Sequence, residues 1–260
     1  MRNIWAVFAR EFRSYFVSPI AYVVTSIFLI VTGYFFYTYL TSFLQTALLS
    51  TLEAQQMRTL PPHLNINMLV IQPLFHNYSV VSLFMAPMIT MRLLAEEKKT
   101  MTVELLMTSP VSTTQIILGK FIAGMALFVV MIVPTTAHFI VLIVFGEPEI
   151  IPILSGYLGL LLLGAGFIAL GLLISSATEN QIIAGTVSFG ILLLFWVIGW
   201  IANLIDPVKG KLLAYISLIN HFDDFTKGVI DTQHIVFYLS FMIFGLYLTY
   251  RSLESIRWKA

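Results

Sequence analysis

The sequence predicts an all-α integral membrane protein with six transmembrane helices, and two observations carry that prediction. The first is composition: 58% of residues are hydrophobic and 10% are charged, against about 45–50% and about 25% in a soluble domain. So little charge cannot cover a water-facing surface. The second is where the charges fall. Six long runs contain none: Ser14 to Leu52, Thr59 to Met91, Phe121 to Gly146, Ile150 to Thr178, Asn180 to Ile205 and Thr232 to Tyr250. At about 1.5 Å rise per residue, about 20 apolar residues cross a hydrocarbon core of about 30 Å. A charge at mid-bilayer costs at least about 2.5–3.5 kcal/mol on insertion scales, which explains the confinement of charge to the gaps.

The elements follow in order along one transmembrane domain, residues 1–260. Residues 1–18 read as a helix lying in the membrane interface, because Ile4, Phe8, Phe12 and Tyr15 or Phe16 recur at helical spacing beside Arg2, Arg10 and Arg13. The first span, 19–44, is too long and too aromatic for a cleaved signal segment. A loop of roughly Gln45 to Asn67 follows, broken by Pro61-Pro62. The remaining spans are 68–91, 113–145, 153–176, 181–205 and 233–251, with a tight hairpin between the third and fourth. Pro73, Pro87 and Pro134 are expected to bend their helices. Gly156, Gly159, Gly164, Gly166 and Gly171 thin the fourth span for close helix contact. The segment 206–232 is too polar to span and too apolar for a solvated loop, and reads as one or two short amphipathic helices half-sunk in the outer interface, stopped near Gly228.

An even number of spans places the two ends of the chain on one side. Arg2, Arg10, Arg13, Arg92, Lys98, Lys99, Lys120, Arg251, Arg257 and Lys259 fall on that side; Arg58, Lys209, Lys211 and Lys227 fall on the other. The positive-inside rule then places both termini in the cytoplasm.

Several classes of chemistry are excluded. The chain has no cysteine, hence no disulfide, thiolate metal site or cysteine nucleophile. A net charge of +1 with no basic stripe argues against nucleic acid. No carboxylate lies in a span, as an ion-coupled transporter would require; His76 and His138 read as hydrogen-bonded packing residues. The eleven methionines are scattered core fillers rather than a copper site. There is no phosphate-binding G-x-x-x-x-G-K-[ST] loop, so the chain is not expected to hydrolyse ATP, and no catalytic residue, metal or cofactor is assigned to it.

One segment on the terminal side is long enough to act, residues 92–112 leading into Lys120. Thr100 to Thr108 reads as a short amphipathic helix with Glu104 in its first turn, where the helix dipole favours a carboxylate. Pro110 ends it. Ser112 with Gln115 forms a capping box, and Val111 with Ile116 has the spacing of a hydrophobic staple, so the next long helix starts near Thr113. A short helix at a fixed stop can take a push from a soluble partner; resting on the bilayer is the other reading of the same pattern.

The stretch AEEKKTMTVELLMTSPVSTTQIILGK, from Ala95 to Lys120, resembles the signature of type 2 ABC exporter membrane subunits. There a pair of acidic residues and basic residues precede a Thr-x-Glu-Leu-Leu core, a Ser-Pro-Val turn and a Leu-Gly-Lys. The six-span layout, the interfacial first helix and the amphipathic segment before the last span are similar to that family as well. SSATENQIIAG (Ser175 to Gly185) and HFDDFTKGVID (His221 to Asp231) resemble its gliding-motility-associated branch. The resemblance implies a multi-pass permease of the bacterial inner membrane, pairing with a second copy or a paralogue and with a separate ABC ATPase that carries ATP and Mg. It further implies export by alternating access or lateral extrusion, with ATPase-driven assembly or mechanotransmission as the alternative. Glu96, Glu97, Lys98, Lys99, Thr102, Glu104, Leu105, Leu106, Thr108 and Pro110 are then the expected coupling residues. The family's glycine before the second threonine is replaced by Met101, which is strained if that position has a positive φ.

Overall fold

The computed structural model describes residues 2–60, 64–102, 111–202, 204 and 207–257. These residues form helices and no strand, and six helices are long and apolar enough to cross a membrane. The chain is an all-α integral membrane protein. Its helices are α1 (Arg2–Val17), α2 (Ile20–Met57), α3 (Gln72–Thr90), α4 (Ala95–Lys99), α5 (Thr113–Ile132), α6 (Thr136–Gly146), α7 (Ile150–Ala177), α8 (Gln181–Ala202), α9 (Pro207–Ile216), α10 (Leu218–Thr226) and α11 (Thr232–Arg257).

α7 is the centre, packed against α11, α3, α10, α8 and α5. Its glycines work as the sequence pattern implies, each admitting a different neighbour. A Cβ on Gly164 would lie 2.3 Å from the Phe128 ring of α5, and one on Gly171 would lie 2.1 Å from Thr90 Oγ1 of α3. These approaches replace the hydrophobic drive that lipid does not supply between helices. α2, α8 and α11 form the outer layer, most of their surface facing outward.

The prolines act unequally. A π-helical turn, Asn67–Ile71, precedes Pro73 at the start of α3, and Pro134 sits in a 3-10 turn, Val133–Thr135, that divides the third span into α5 and α6. Pro87 lies inside α3 with no break in the helix around it. α2 runs thirteen residues past the span end expected at 44, through a segment expected to be loop. That stretch, QTALLSTLEAQQM, is rich in strong helix formers and contains neither glycine nor proline. It ends at Arg58, which adopts a left-handed φ of 54°. At about 1.5 Å per residue the helix is about 57 Å long, nearly twice a hydrocarbon core.

The segment before the last span forms two helices, and α10 departs from the half-sunk expectation. Its apolar residues Leu218, Ile219, Phe222 and Phe225 are buried in protein, against α7, α8 and α3. Ser155 Oγ donates to Phe225 O at 2.7 Å and Tyr238 Oη donates to Leu218 O at 2.6 Å. The expected stop is present: Gly228 has φ +89°, its N–H donates to Phe225 O, and Val229 N–H donates to Asp224 O, a Schellman closure.

Candidate functional site: a charged joint at the base of the spans

The capping box forms as its spacing requires. Ser112 Oγ accepts from Gln115 N at 3.3 Å while Ser112 N donates to the Gln115 side chain at 3.1 Å, starting α5 at Thr113. Two turns on come Gly119 and Lys120. A Cβ on Gly119 would stand 2.7 Å from Val7 Cβ and 3.1 Å from Ile4 O, so the bare glycine is what lets α1 lie against α5. α1 is therefore docked on protein along one side, with Val7 and Tyr15 buried. Its row of rings Trp5, Phe8, Phe12 and Phe16 supplies the amphipathic pattern read from the sequence.

Lys120 is fully buried, and all three ammonium protons have acceptors. Its Nζ lies 2.5 Å from Leu93 O, 2.9 Å from Glu97 Oε1 and 3.1 Å from Glu11 Oε1. Arg10 Nη2 reaches the same two oxygens, at 2.6 Å from Glu11 and 2.7 Å from Glu97. Two cations thus share two carboxylates in an alternating ring contributed by α1, α4 and α5. Burial pushes the Glu11 carboxyl up, but Lys120 and Arg10 outweigh it and hold the group below its ordinary value. Beside the ring, Arg92 Nε pairs with Glu96 Oε2 at 3.3 Å and its guanidinium stands 5.9 Å over the Tyr15 ring.

Both ends of α4 are tied to α7. Ser175 Oγ accepts from Leu94 N and Ala95 N, both at 3.0 Å, and donates to Met91 O at 3.2 Å. Lys98 Nζ donates to Ser176 O. The same carbonyl accepts from Ser252 Oγ of α11 at 3.2 Å.

Of the residues expected to couple to an ATPase, Glu96, Glu97 and Lys98 are thus engaged within the chain, and Lys99 is exposed. Thr100 does not open a helix: its N–H donates to Glu96 O and closes α4. Met101 has φ 54°, the left-handed conformation that the glycine of the resembled signature would adopt without cost. Thr102 Oγ1 donates to Glu97 O at 3.2 Å. Glu104, Leu105, Leu106, Thr108 and Pro110 lie outside the described residues. Sequence reasoning did not find Arg10, Glu11 or Ser175 as partners. A single lysine two turns into an apolar helix was the available signal, since such a charge must find a counter-charge.

The ring borders a cavity of about 240 Å³ that Ser14, Arg92, Leu93 and Glu96 also line, and among the described residues no three histidines or carboxylates are placed to hold a metal ion. What it can do is hold α1, α4 and α5 together at one point. Along the side of the bundle, α3 and α8 flank a groove of about 380 Å³ lined by Phe84, Pro87, Met88, Met91, Ile182, Gly185, Thr186 and Phe189. His138 is a packing residue as expected, its Nδ1 2.7 Å from Tyr78 Oη and its ring stacked on Phe36.

Six spans, four of them packed on one glycine-rich helix, with a compact polar joint at one end, make this a multi-pass membrane protein. The sequence profile described as ABC-2 family transporter protein matches residues 5–251, and the chain belongs to that family of ABC transporter permeases. No curated protein matched the chain.

Proposed function

We propose that the chain is the membrane half of an ATP-driven exporter, paired with a second permease copy or paralogue and powered by a separate ABC ATPase that binds ATP and Mg. The observation that carries the reading is the Lys120 ring. Residues 95–102 are fixed to α1 and α5 by Glu97 and to α7 by Ser175 and Lys98. A force applied at residues 100–108 then reaches α1 and two spans, α5 and α7, as displacement instead of being absorbed by a loose loop. The lysine and arginine distribution supports an orientation with α1 and α4 in the cytoplasm, and the family supports a bacterial inner membrane. The apolar groove between α3 and α8 suits a cargo drawn from lipid, and the Ser175 to Gly185 stretch supports the gliding-motility-associated branch.

The test is co-purification with a phosphate-loop ATPase and measurement of its hydrolysis in the complex. Glu104→Lys with Leu105→Ala is expected to abolish association and stimulated hydrolysis. Unchanged values of both would refute the coupling assignment.

A further inference from the structure

On the face opposite α1 and α4, α10 and the start of α11 bring two histidines and an aspartate into a chain. His221 is buried, its ring stacked on Phe237 at 3.9 Å between centroids. Its Nε2 lies 2.8 Å from Tyr215 O, its Nδ1 lies 2.6 Å from His234 Nδ1, and His234 Nε2 lies 2.9 Å from Asp224 Oδ2. Each of these three links needs one proton. Tyr215 O is a carbonyl and can only accept, so His221 Nε2 must carry hydrogen. Two neutral imidazoles hold one ring proton each, which leaves the chain one short.

We propose that Tyr215 O, His221, His234 and Asp224 form a proton-binding site that latches α10 to α11 when the third proton is present. The proton belongs on His234. Its neighbour Asp224 is kept ionised: burial pushes that carboxyl up, but hydrogen bonds from His234 and Lys227 pull it below its ordinary value, Lys227 Nζ being 3.3 Å from Asp224 Oδ1. Burial also pushes the His221 imidazole down, away from carrying the charge itself. The other groups at the site face elsewhere. Asp223 turns to His76 Nδ1 of α3 at 3.6 Å, Tyr238 Oη donates to Leu218 O, Asp231 Oδ1 accepts from Gln233 N, and Lys211 of α9 is exposed.

Loss of the proton sets one bare Nδ1 against the other at 2.6 Å if His234 keeps its hydrogen on Asp224, and the rings must part. The latch is therefore closed at low pH and released as pH rises through the site's midpoint. α10 stays seated by Phe222 and Phe225 and stays joined to α11 through Asp224–His234 and Tyr238 Oη–Leu218 O, so what opens is the link between the two imidazoles. Which compartment's acidity it reads rests on the orientation proposed above; the experiment below exposes both faces and does not depend on it.

The full chain, carrying isotope-labelled histidine and held in lipid nanodiscs, is followed by NMR from about pH 5 to about pH 9, the range around imidazole titration. His234 is identified by the signals lost in His234→Gln. It is expected to be protonated on both nitrogens in the acid half of the range and to lose one proton with rising pH, while amides of α10 begin to exchange several-fold faster. Asp224→Asn, which keeps both rings, is expected to require about tenfold more protons for half-occupancy, a drop of about one pH unit. If His234→Gln does not fold, the resonance that moves in Asp224→Asn provides the assignment. A His234 singly protonated throughout, a deprotonation that leaves α10 exchange unchanged, or an unmoved midpoint in Asp224→Asn would each overturn the proposal.

Discussion

Replacing Lys120 by methionine removes a buried ammonium while nearly preserving its volume. Glu11 Oε1 and Glu97 Oε1, 3.1 and 2.9 Å from Lys120 Nζ, are left facing each other with Arg10 alone between them. At an effective dielectric of about 20 each lost contact is about 5–6 kcal/mol of gross Coulomb attraction. Most of that offsets the desolvation of the ions, which costs several kcal/mol apiece. The net worth of the intact ring is therefore small, but breaking it is not: an unpaired buried charge typically costs about 3–5 kcal/mol, and Leu93 O loses its 2.5 Å donor as well. Lys120→Met should thus destabilise the detergent-solubilised protein by about 3–5 kcal/mol. Adding Glu97→Gln to Lys120→Met should restore part of the loss, because the two carboxylates left sharing Arg10 are then reduced to one. The assay is chemical unfolding of wild type, both single variants and the double variant. A coupling energy of about 0.5 kcal/mol or less, the range seen for independent sites, would show that the ring is not an energetic unit, and the mechanical joint argued from it would fall.

Met101→Gly relieves about 1–2 kcal/mol, the cost of a left-handed non-glycine residue, less about 0.5–1 kcal/mol of extra chain entropy, and should leave the unfolding midpoint unchanged or raised; a lowered midpoint would mean that the φ of 54° carries no strain. Gly164→Ala, whose Cβ would meet Phe128 at 2.3 Å, should cost about 1–3 kcal/mol, whereas Gly190→Ala in α8, with nothing within 4 Å, should gain up to about 1 kcal/mol of helix propensity; the same unfolding measurement reads both. The stability difference between wild type and Glu11→Gln should depend on acid. Because the folded carboxyl is held below its ordinary value, its contribution is present in full above about pH 4.3, the free glutamate value, and fades as pH falls through the lower folded value. A difference constant with pH would place Glu11 outside the ring's electrostatics.

The six spans, the capping box at Ser112 and Gln115, the stop at Gly228 and the packing role of the fourth-span glycines were legible along the chain. Each depends on residues within a few positions of one another, or on the cost of placing charge in hydrocarbon, which acts on local composition. The Met101 departure was legible as well, since a positive φ is a local property, though its value waited for the fold. The helical run from Gln45 to Met57 was missed because the break expected at Pro61-Pro62 was extended back to Gln45, whereas the helix ends at Arg58 and no residue in that run opposes helix. The burial of α10 was missed for a different reason: an amphipathic pattern states that an apolar face exists and not whether lipid or protein covers it.

Composition and spacing by themselves determined a six-span helical membrane protein with its charge gathered at the ends. The tertiary structure alone decided which charges meet. Arg10 and Glu97 are 87 positions apart and Lys120 lies 27 from the carbonyl it bonds. His221 and His234 are only 13 apart, yet nothing in their spacing requires the 2.6 Å approach of their rings. Periodicity records how a residue relates to its own helix, whereas these contacts are set by how α1, α4 and α5, or α10 and α11, are pressed together, and that is settled by packing around the glycines of α7 and by Gly119.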